Sequence, residues 1–157
     1  FNDMFTGETI SRSDPNGNKV ESSWYDSDGN LTNNYIGISK TISRYDSNGN
    51  ELESSWYDSD GSLDSKAISK YNSNGNKVES SWYDSDGSSK TIYTYDSNGN
   101  KVEESDYDSD GSLNWKYIYK YDTKNRIVEL IKYNFGLKFG QLQQTLTEKY
   151  IYEYEEY

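Results

Sequence analysis

Asp46 to Tyr71, DSNGNELESSWYDSDGSLDSKAISKY, carries two turn signals, Asn48-Gly49 and Asp60-Gly61, each followed by a strand's length of residues. Both dipeptides suit the central positions of a two-residue type I′ hairpin turn, where φ is positive twice. Centring the first turn sets Tyr45 opposite Leu52, Arg44 opposite Glu53, Ile42 opposite Ser55 and Lys40 opposite Tyr57. Folding back across the second sets Trp56 against Ser65 and Ser55 against Lys66. A base meets an acid and the apolar residues share a face, so the register is self-consistent.

The stretch is a repeat. It recurs from Asn72 to Tyr95 and from Asp96 to Tyr121, with longer relatives from Asp14 to Tyr45 and from Asp122 to Tyr154. The expected units are 14–45, 46–71, 72–95, 96–121 and 122–154 of one β-repeat domain. Residues 1–13 read as the tail of a preceding repeat, because TISRS (9–13) echoes TISRY (41–45), and residues 155–157 as a terminal tail. From each Asn-Gly glycine to the next Asp-Gly glycine is 12 residues, whereas the return to the next turn takes 12 to 20. A fixed strand thus alternates with an adjustable one, and no helical period appears. The expectation is all-β: an antiparallel meander of hairpin repeats, about ten strands, in one extended or curled sheet.

Composition restricts what such a sheet can do. Apolar residues are only 31% of the chain, but 17 Tyr and 4 Trp supply the large side chains that Leu, Ile and Val usually provide. With no Cys and no His, disulfides, thiolate zinc sites and the commonest general base are excluded. A net charge of −11 argues against nucleic acid and anionic membranes as partners, and no apolar run is long enough to insert in a bilayer. A chain that opens at Phe1 without a leader is expected to be mature or trimmed.

Alternation assigns two faces. One carries Val20, Leu52, Val78, Val102 and Val128 with Trp24, Trp56 and Trp82, and also Tyr45, Tyr71, Tyr95 and Tyr121. The other carries the Glu–Arg/Lys pairs, the Ile of each return strand, and Lys40, Lys66, Lys90 and Lys116 near Tyr57, Tyr83, Tyr107 and Tyr133. Lys stems lying over Tyr rings suit water. The aromatic face needs cover, whether by curling, by sheet-on-sheet packing or by self-association. A bare single layer would leave an apolar patch.

Two sets of residues are candidate sites. Trp24, Trp56 and Trp82, with Tyr45, Tyr71 and Tyr95, form an aromatic ladder that either fills a core or stacks against a sugar or a partner protein. The pairs Asp26/Asp28, Asp58/Asp60, Asp84/Asp86 and Asp108/Asp110 set alternate carboxylates before a glycine. That is good hairpin chemistry first, and an arrangement able to share a calcium ion second. The acids recur with the repeat, so no unique acid or nucleophile stands out, and no enzyme is expected.

The Tyr-Asp-x-x-Gly-Asn at Tyr45 to Asn50 and Tyr95 to Asn100 resembles the YD repeats of bacterial RHS-type proteins. The likeness extends over residues 9 to 154, with relaxed copies at Tyr71 and Tyr121. A weaker likeness is to MORN-type repeats. The first resemblance implies long antiparallel sheet and a surface or secreted, extracellular setting. The expected function is a non-catalytic repeat module that binds a carbohydrate or protein ligand. The alternative is a purely structural segment of a larger surface or toxin-associated protein.

Overall fold

The computed structural model describes residues 7–138 and 141–155. Residues 1–6 of the expected first tail and 156–157 of the expected terminal tail lie outside that range. Eleven strands run in sequence: β1 (Glu8–Ser13), β2 (Lys19–Tyr25), β3 (Lys40–Tyr45), β4 (Glu51–Tyr57), β5 (Leu63–Tyr71), β6 (Lys77–Asp84), β7 (Gly87–Tyr95), β8 (Lys101–Tyr107), β9 (Leu113–Tyr121), β10 (Ile127–Lys138) and β11 (Gln141–Ile151). They hydrogen-bond in that same order in one antiparallel sheet. The fold is therefore the all-β meander expected, and the eleventh strand is the stretch read as a tail, β1. No helix of the described residues is long and apolar enough to cross a membrane.

The turns differ from the expected type I′. Asp46 N–H donates to Asn50 O at 2.9 Å, Gly49 N–H donates to Asp46 O at 3.2 Å, and only the glycine has positive φ, +83°. This is a type I turn closed by a left-handed glycine, a three-residue loop. Asp46 selects it: its Oδ1 accepts from the N–H groups of Asn48 and Asn50 at 2.8 and 2.9 Å, and its Oδ2 from the Asn50 amide at 2.9 Å. An Asx turn of this kind outcompetes type I′ by satisfying two backbone donors. Asp14, Asp96 and Asp122 close their turns in the same way.

A longer loop should shift every later pair by one residue, yet Arg44 still meets Glu53, Ile42 meets Ser55 and Lys40 meets Tyr57. A second irregularity restores the register. Tyr45 pairs with Glu51 rather than Leu52, and a β-bulge between Arg44 and Tyr45 absorbs the difference. The same compensation occurs at Ser13/Lys19, Tyr95/Lys101 and Tyr121/Ile127. The bulge also brings Glu51 round to Ser54, whose Oγ donates to Glu51 Oε1 at 2.5 Å.

Asn125 takes the turn-glycine position of the last hairpin at φ 59°, the one non-glycine residue with positive φ among those described. At Gly49, by contrast, an added Cβ would meet only Asn18 Oδ1, at an ordinary 3.6 Å. Gly49→Ala should therefore cost backbone strain alone, about 1–2 kcal/mol. A lower urea midpoint at unchanged slope is the expected reading; an unshifted midpoint would refute the turn geometry.

Two compact units make up the chain: Phe1–Lys70 with Trp82–Gly87, and Tyr71–Ser81 with Ser88–Tyr157. Within each, the described strands form one layer. The chain exposes 10881 Å², where a folded monomer of its 18.2 kDa exposes roughly 8,100 Å². Ile38 and Ile131 are the only buried apolar residues among those described, while eight serines are buried. Among the described residues of each unit no second layer packs on the aromatic face. Short serines at strand centres instead let long neighbours lie across the sheet. Ser43 and Ser54, and likewise Ser11 and Ser22, share Oγ–Oγ bonds of 2.8 and 3.0 Å.

The charged face is better paired than expected. Glu21 is held between Arg12 (3.0 Å) and Lys40 (2.8 Å), and Glu53 between Arg44 (3.1 Å) and Lys66 (2.7 Å). Glu129 sits between Lys120 (2.6 Å) and Lys149 (2.8 Å), while Glu103 has Lys116 at 2.9 Å. Three lysines expected over tyrosines, Lys40, Lys66 and Lys116, turn to these carboxylates, a stronger partner than a ring. Lys90 does lie over Tyr107, 5.7 Å from the ring centroid.

Candidate functional site

The repeated tyrosines serve the sheet. The β2–β3 ladder ends at Glu21/Ile42, so the carbonyl at the start of β2 lacks a ladder partner, and the Tyr45 hydroxyl donates to it, at Lys19 O, at 3.2 Å. Tyr95, Tyr121 and Tyr154 reach Lys77 O, Lys101 O and Ile127 O in the same way, each at 2.8 Å. Burial is the leading cause that pushes the Tyr45, Tyr95 and Tyr121 hydroxyls above their ordinary pKa. Tyr71, half-buried, has the Lys77 ammonium 5.8 Å from its ring centroid. The Tyr-Asp motif is therefore a strand-end clamp joined to an Asx turn.

Five of the eight Asp-Ser-Asp-Gly carboxylates, those of Asp26, Asp58, Asp60, Asp84 and Asp110, bond within their own turns. Asp26 Oδ1 accepts from the N–H groups of Asp28 and Asn30 at 3.0 and 2.8 Å, and these bonds, Asn30's foremost, hold its pKa low. Asp60 and Asp110 each accept from the following Ser62 and Ser112 N–H at 2.8 Å. Asp58 Oδ2 takes the Ser62 hydroxyl at 3.4 Å. Asp84 accepts from Asp86 N–H and from the Trp82 indole at 2.9 and 2.6 Å. Asp108 closes its turn through the backbone, bonding Ser112 O and Gly111 N–H. Among the described residues, no three acidic side chains gather closely enough to hold a metal ion.

The tryptophans behave differently. Trp56 on β4 and Trp82 on β6 flank β5, about 9.6 Å apart at the backbone, yet their ring centroids are 5.0 Å apart, tilted by 39°. The strand between them carries small residues on this face: Ser65, paired with Trp56 and buried, and Ala67. In the second unit the corresponding face carries a cation among its rings. Lys101 sits 2.5 Å from Glu104 Oε2, with the Tyr119 and Tyr93 rings 4.7 and 5.7 Å from its ammonium. The stacked indole pair belongs to the first unit, while the second exposes Tyr150, Tyr152 and Tyr154 toward its end.

Trp24 stands where the repeat is broken. The return from Gly29 to Gly49 takes 20 residues, the longest in the chain, and folds an additional turn. Leu31 and Thr32 bridge back to Tyr25 and Trp24. Asn34 then nucleates an Asx turn, its Oδ1 accepting from Ile36 N–H and Ile38 N–H at 2.9 and 3.1 Å. Ser39 O finally rejoins Trp24 N–H at 2.9 Å. The turn holds Tyr35 at 97% exposure, with Ile36 exposed beside it. Gly7, Thr9, Trp24, Asn33, Asn34 and Tyr35 line a recess of about 370 Å³. None of them is charged, in a chain where charged residues are 27%. An indole, a phenol, two amides and a hydroxyl can stack on an apolar ring and hydrogen-bond its polar rim, without selecting charge.

No protein-family model matches the chain, and no curated protein matches it. Among solved structures it is similar to a protein of unknown function from Bacteroides fragilis, at 15% identity over 96% of this chain and 95% of that one, with a TM-score of 0.35. A likeness at that score carries no argument about fold or function.

Of the residues singled out from sequence, Trp56 and Trp82 are brought together, and Trp24 lines the recess. Tyr45 and Tyr95 are committed to backbone carbonyls. Asn33, Asn34 and Tyr35 were not singled out. The signal for them was present in the length of the one 20-residue return.

Proposed function

We propose that this chain is a non-catalytic binding module that takes a neutral carbohydrate in the recess between Trp24 and Tyr35, with the Trp56–Trp82 pair as further aromatic surface of the same unit. The observation that carries the reading is an uncharged, aromatic-walled recess built by the one loop that departs from the repeat. Most of the turn aspartates bond within their turns, and Tyr45, Tyr95, Tyr121 and Tyr154 hold strand ends, whereas this loop is the element that departs from the repeat. A surface or secreted setting, as in the YD-repeat proteins the motif resembles, accords with it.

The test is titration with a panel of neutral oligosaccharides, read by tryptophan emission and calorimetry. Trp24→Ala and Tyr35→Ala should each weaken the best ligand at least tenfold, about 1.4 kcal/mol, with the far-ultraviolet spectrum unchanged. Absence of binding across the panel would sink the carbohydrate reading and leave the structural one, a repeat segment that spaces a larger protein. That second reading has its own support in the Tyr-Asp clamp, which is wholly architectural.

A further inference from the structure

The six return strands share one frame. In β3 it reads Lys40-Thr-Ile-Ser-Arg44, in β5 Lys66-Ala-Ile-Ser-Lys70, in β7 Lys90-Thr-Ile-Tyr-Thr94 and in β9 Lys116-Tyr-Ile-Tyr-Lys120. In β1 it reads Glu8-Thr-Ile-Ser-Arg12, and at the end of β11 Lys149-Tyr-Ile-Tyr-Glu153. The first slot serves the strand before, as Lys40 bonds Glu21 and Lys149 bonds Glu129. The fifth serves the strand after, as Arg12 bonds Glu21 and Lys120 bonds Glu129. Among the described strands, β1 has none before it and β11 none after it. Those two slots, and no others of the frame, hold glutamate: Glu8 and Glu153.

The two outer edges also fit each other through the backbone. Trp24 N–H bonds Ser39 O on the β3 side of β2, so by alternation Glu21, Ser23 and Tyr25 turn their backbone groups to β1. Their partners Arg12, Ile10 and Glu8 turn to β2 in return, which points the N–H and C=O of Thr9 and Ser11 outward. On β11, Tyr152 N–H bonds Val128 O, so Lys149, Ile151 and Glu153 are the residues whose backbone points outward. Setting Ile151 beside Ile10 of a second copy, with both isoleucines on one face, makes the two strands parallel. Ile151 N–H then meets Thr9 O and Ser11 N–H meets Ile151 O, the slanted pattern of a parallel ladder. The same register sets Lys149 beside Glu8 and Glu153 beside Arg12. Sliding by two residues, the smallest step that keeps the faces, puts each isoleucine beside a charge.

We propose that this chain associates with itself head to tail, β11 of one copy adding to β1 of the next as a parallel edge pair. The groups that would meet are accessible: Ile10 is 52% and Ile151 67% exposed. The Arg12 and Lys149 side chains are 73% and 46% exposed even while holding Glu21 and Glu129, so each has room for a second carboxylate. The ionic ladder of the charged face then continues across the junction, from Glu129 through Lys149 to Glu8, and from Glu153 through Arg12 to Glu21. An edge strand is a template for any strand; here charge selects the partner and its register. The contact is heterologous, so a dimer still offers one β1 and one β11.

Sedimentation velocity over a concentration series at low ionic strength tests this. The wild type should show species beyond the dimer that grow with concentration and that salt dissolves. Glu8→Lys and Glu153→Lys set lysine against Lys149 and against Arg12, and should each weaken association about fivefold or more. A plain net-charge effect predicts the reverse, because either change brings the net charge of −11 closer to zero. Ser11→Pro removes an outward N–H and should block the β1 edge without breaking the β1–β2 ladder. Mixed with the Glu153→Lys protein, it should form dimers that grow no further, since each partner keeps one good edge. Circular dichroism verifies that each variant is folded. A wild type that stays monomeric up to about 1 mM, or glutamate variants that associate as strongly as the wild type, would overturn the proposal. So would a mixture that grows past the dimer, the result expected of association through the aromatic face.

Discussion

Acidification should unfold this protein cooperatively below about pH 4, although its stability between pH 7 and pH 5 is nearly flat. Hydrogen bonds from Lys40, Lys66 and Lys120 hold Glu21, Glu53 and Glu129 below the ordinary glutamate range. At Glu103 burial works the other way, but Lys116 and Ser105 outweigh it. Seven turn aspartates, Asp14, Asp26, Asp46, Asp60, Asp96, Asp110 and Asp122, are also lowered by hydrogen bonds within their turns. A carboxylate whose folded pKa lies below its unfolded one stabilises the fold above the unfolded value and loses that contribution as pH falls through the folded value. Relief of the −11 charge works in the opposite sense while the chain titrates toward its isoelectric point of about 4.4. Each carboxylate is weak because it is partly exposed; eleven titrating together in one layer are not. Far-ultraviolet circular dichroism against pH is the measurement. A sheet signal intact at about pH 2 would show that these bonds do not hold the layer together.

Trp56→Ala should be the most damaging single change to the first unit. The indole is half-buried, so truncation gives up roughly 100 Å² of packed apolar surface, about 2–3 kcal/mol. It also removes the tilted contact with Trp82, about 0.5–1.5 kcal/mol more. Trp82→Ala should cost less, because Trp82 is already 39% exposed. Urea titration ranks the two. In the Trp56→Ala protein, emission from Trp82 should move to longer wavelength as its ring loses its partner. Equal costs for both substitutions would mean that ring stacking, not burial over Ser65, is what Trp56 contributes.

The strand order and almost the whole pairing register were legible in the sequence, because Asn-Gly and Asp-Gly recur at fixed spacing and Arg/Lys meets Glu across each turn. The turn type was not. A two-residue loop and a three-residue loop with a compensating bulge give the same pairing from Arg44 onward, so charge pairing could not separate them. The missing second layer was hidden for a related reason. Alternation shows which side chains share a face, but not that the serines among them end up buried while most of the large apolar residues do not. The site was half-legible: Trp24 stood out by composition, whereas Tyr35 and the two asparagines stand out only through the length of their loop.

The sequential strand order has a consequence for how the chain acquires its structure. Every strand pairs only with its neighbours in sequence, and most hairpins are complete within about 25 residues. Loop closure is correspondingly cheap, and no distant segment must arrive before a hairpin can form. Several hairpins are therefore equivalent starting points, and growth proceeds from any of them by adding the adjacent strand, as in a one-dimensional zipper. The same locality governs fraying. Opening should begin at β1 and β11, which have one neighbour each among the described strands, and amide exchange should slow progressively toward the middle of each unit.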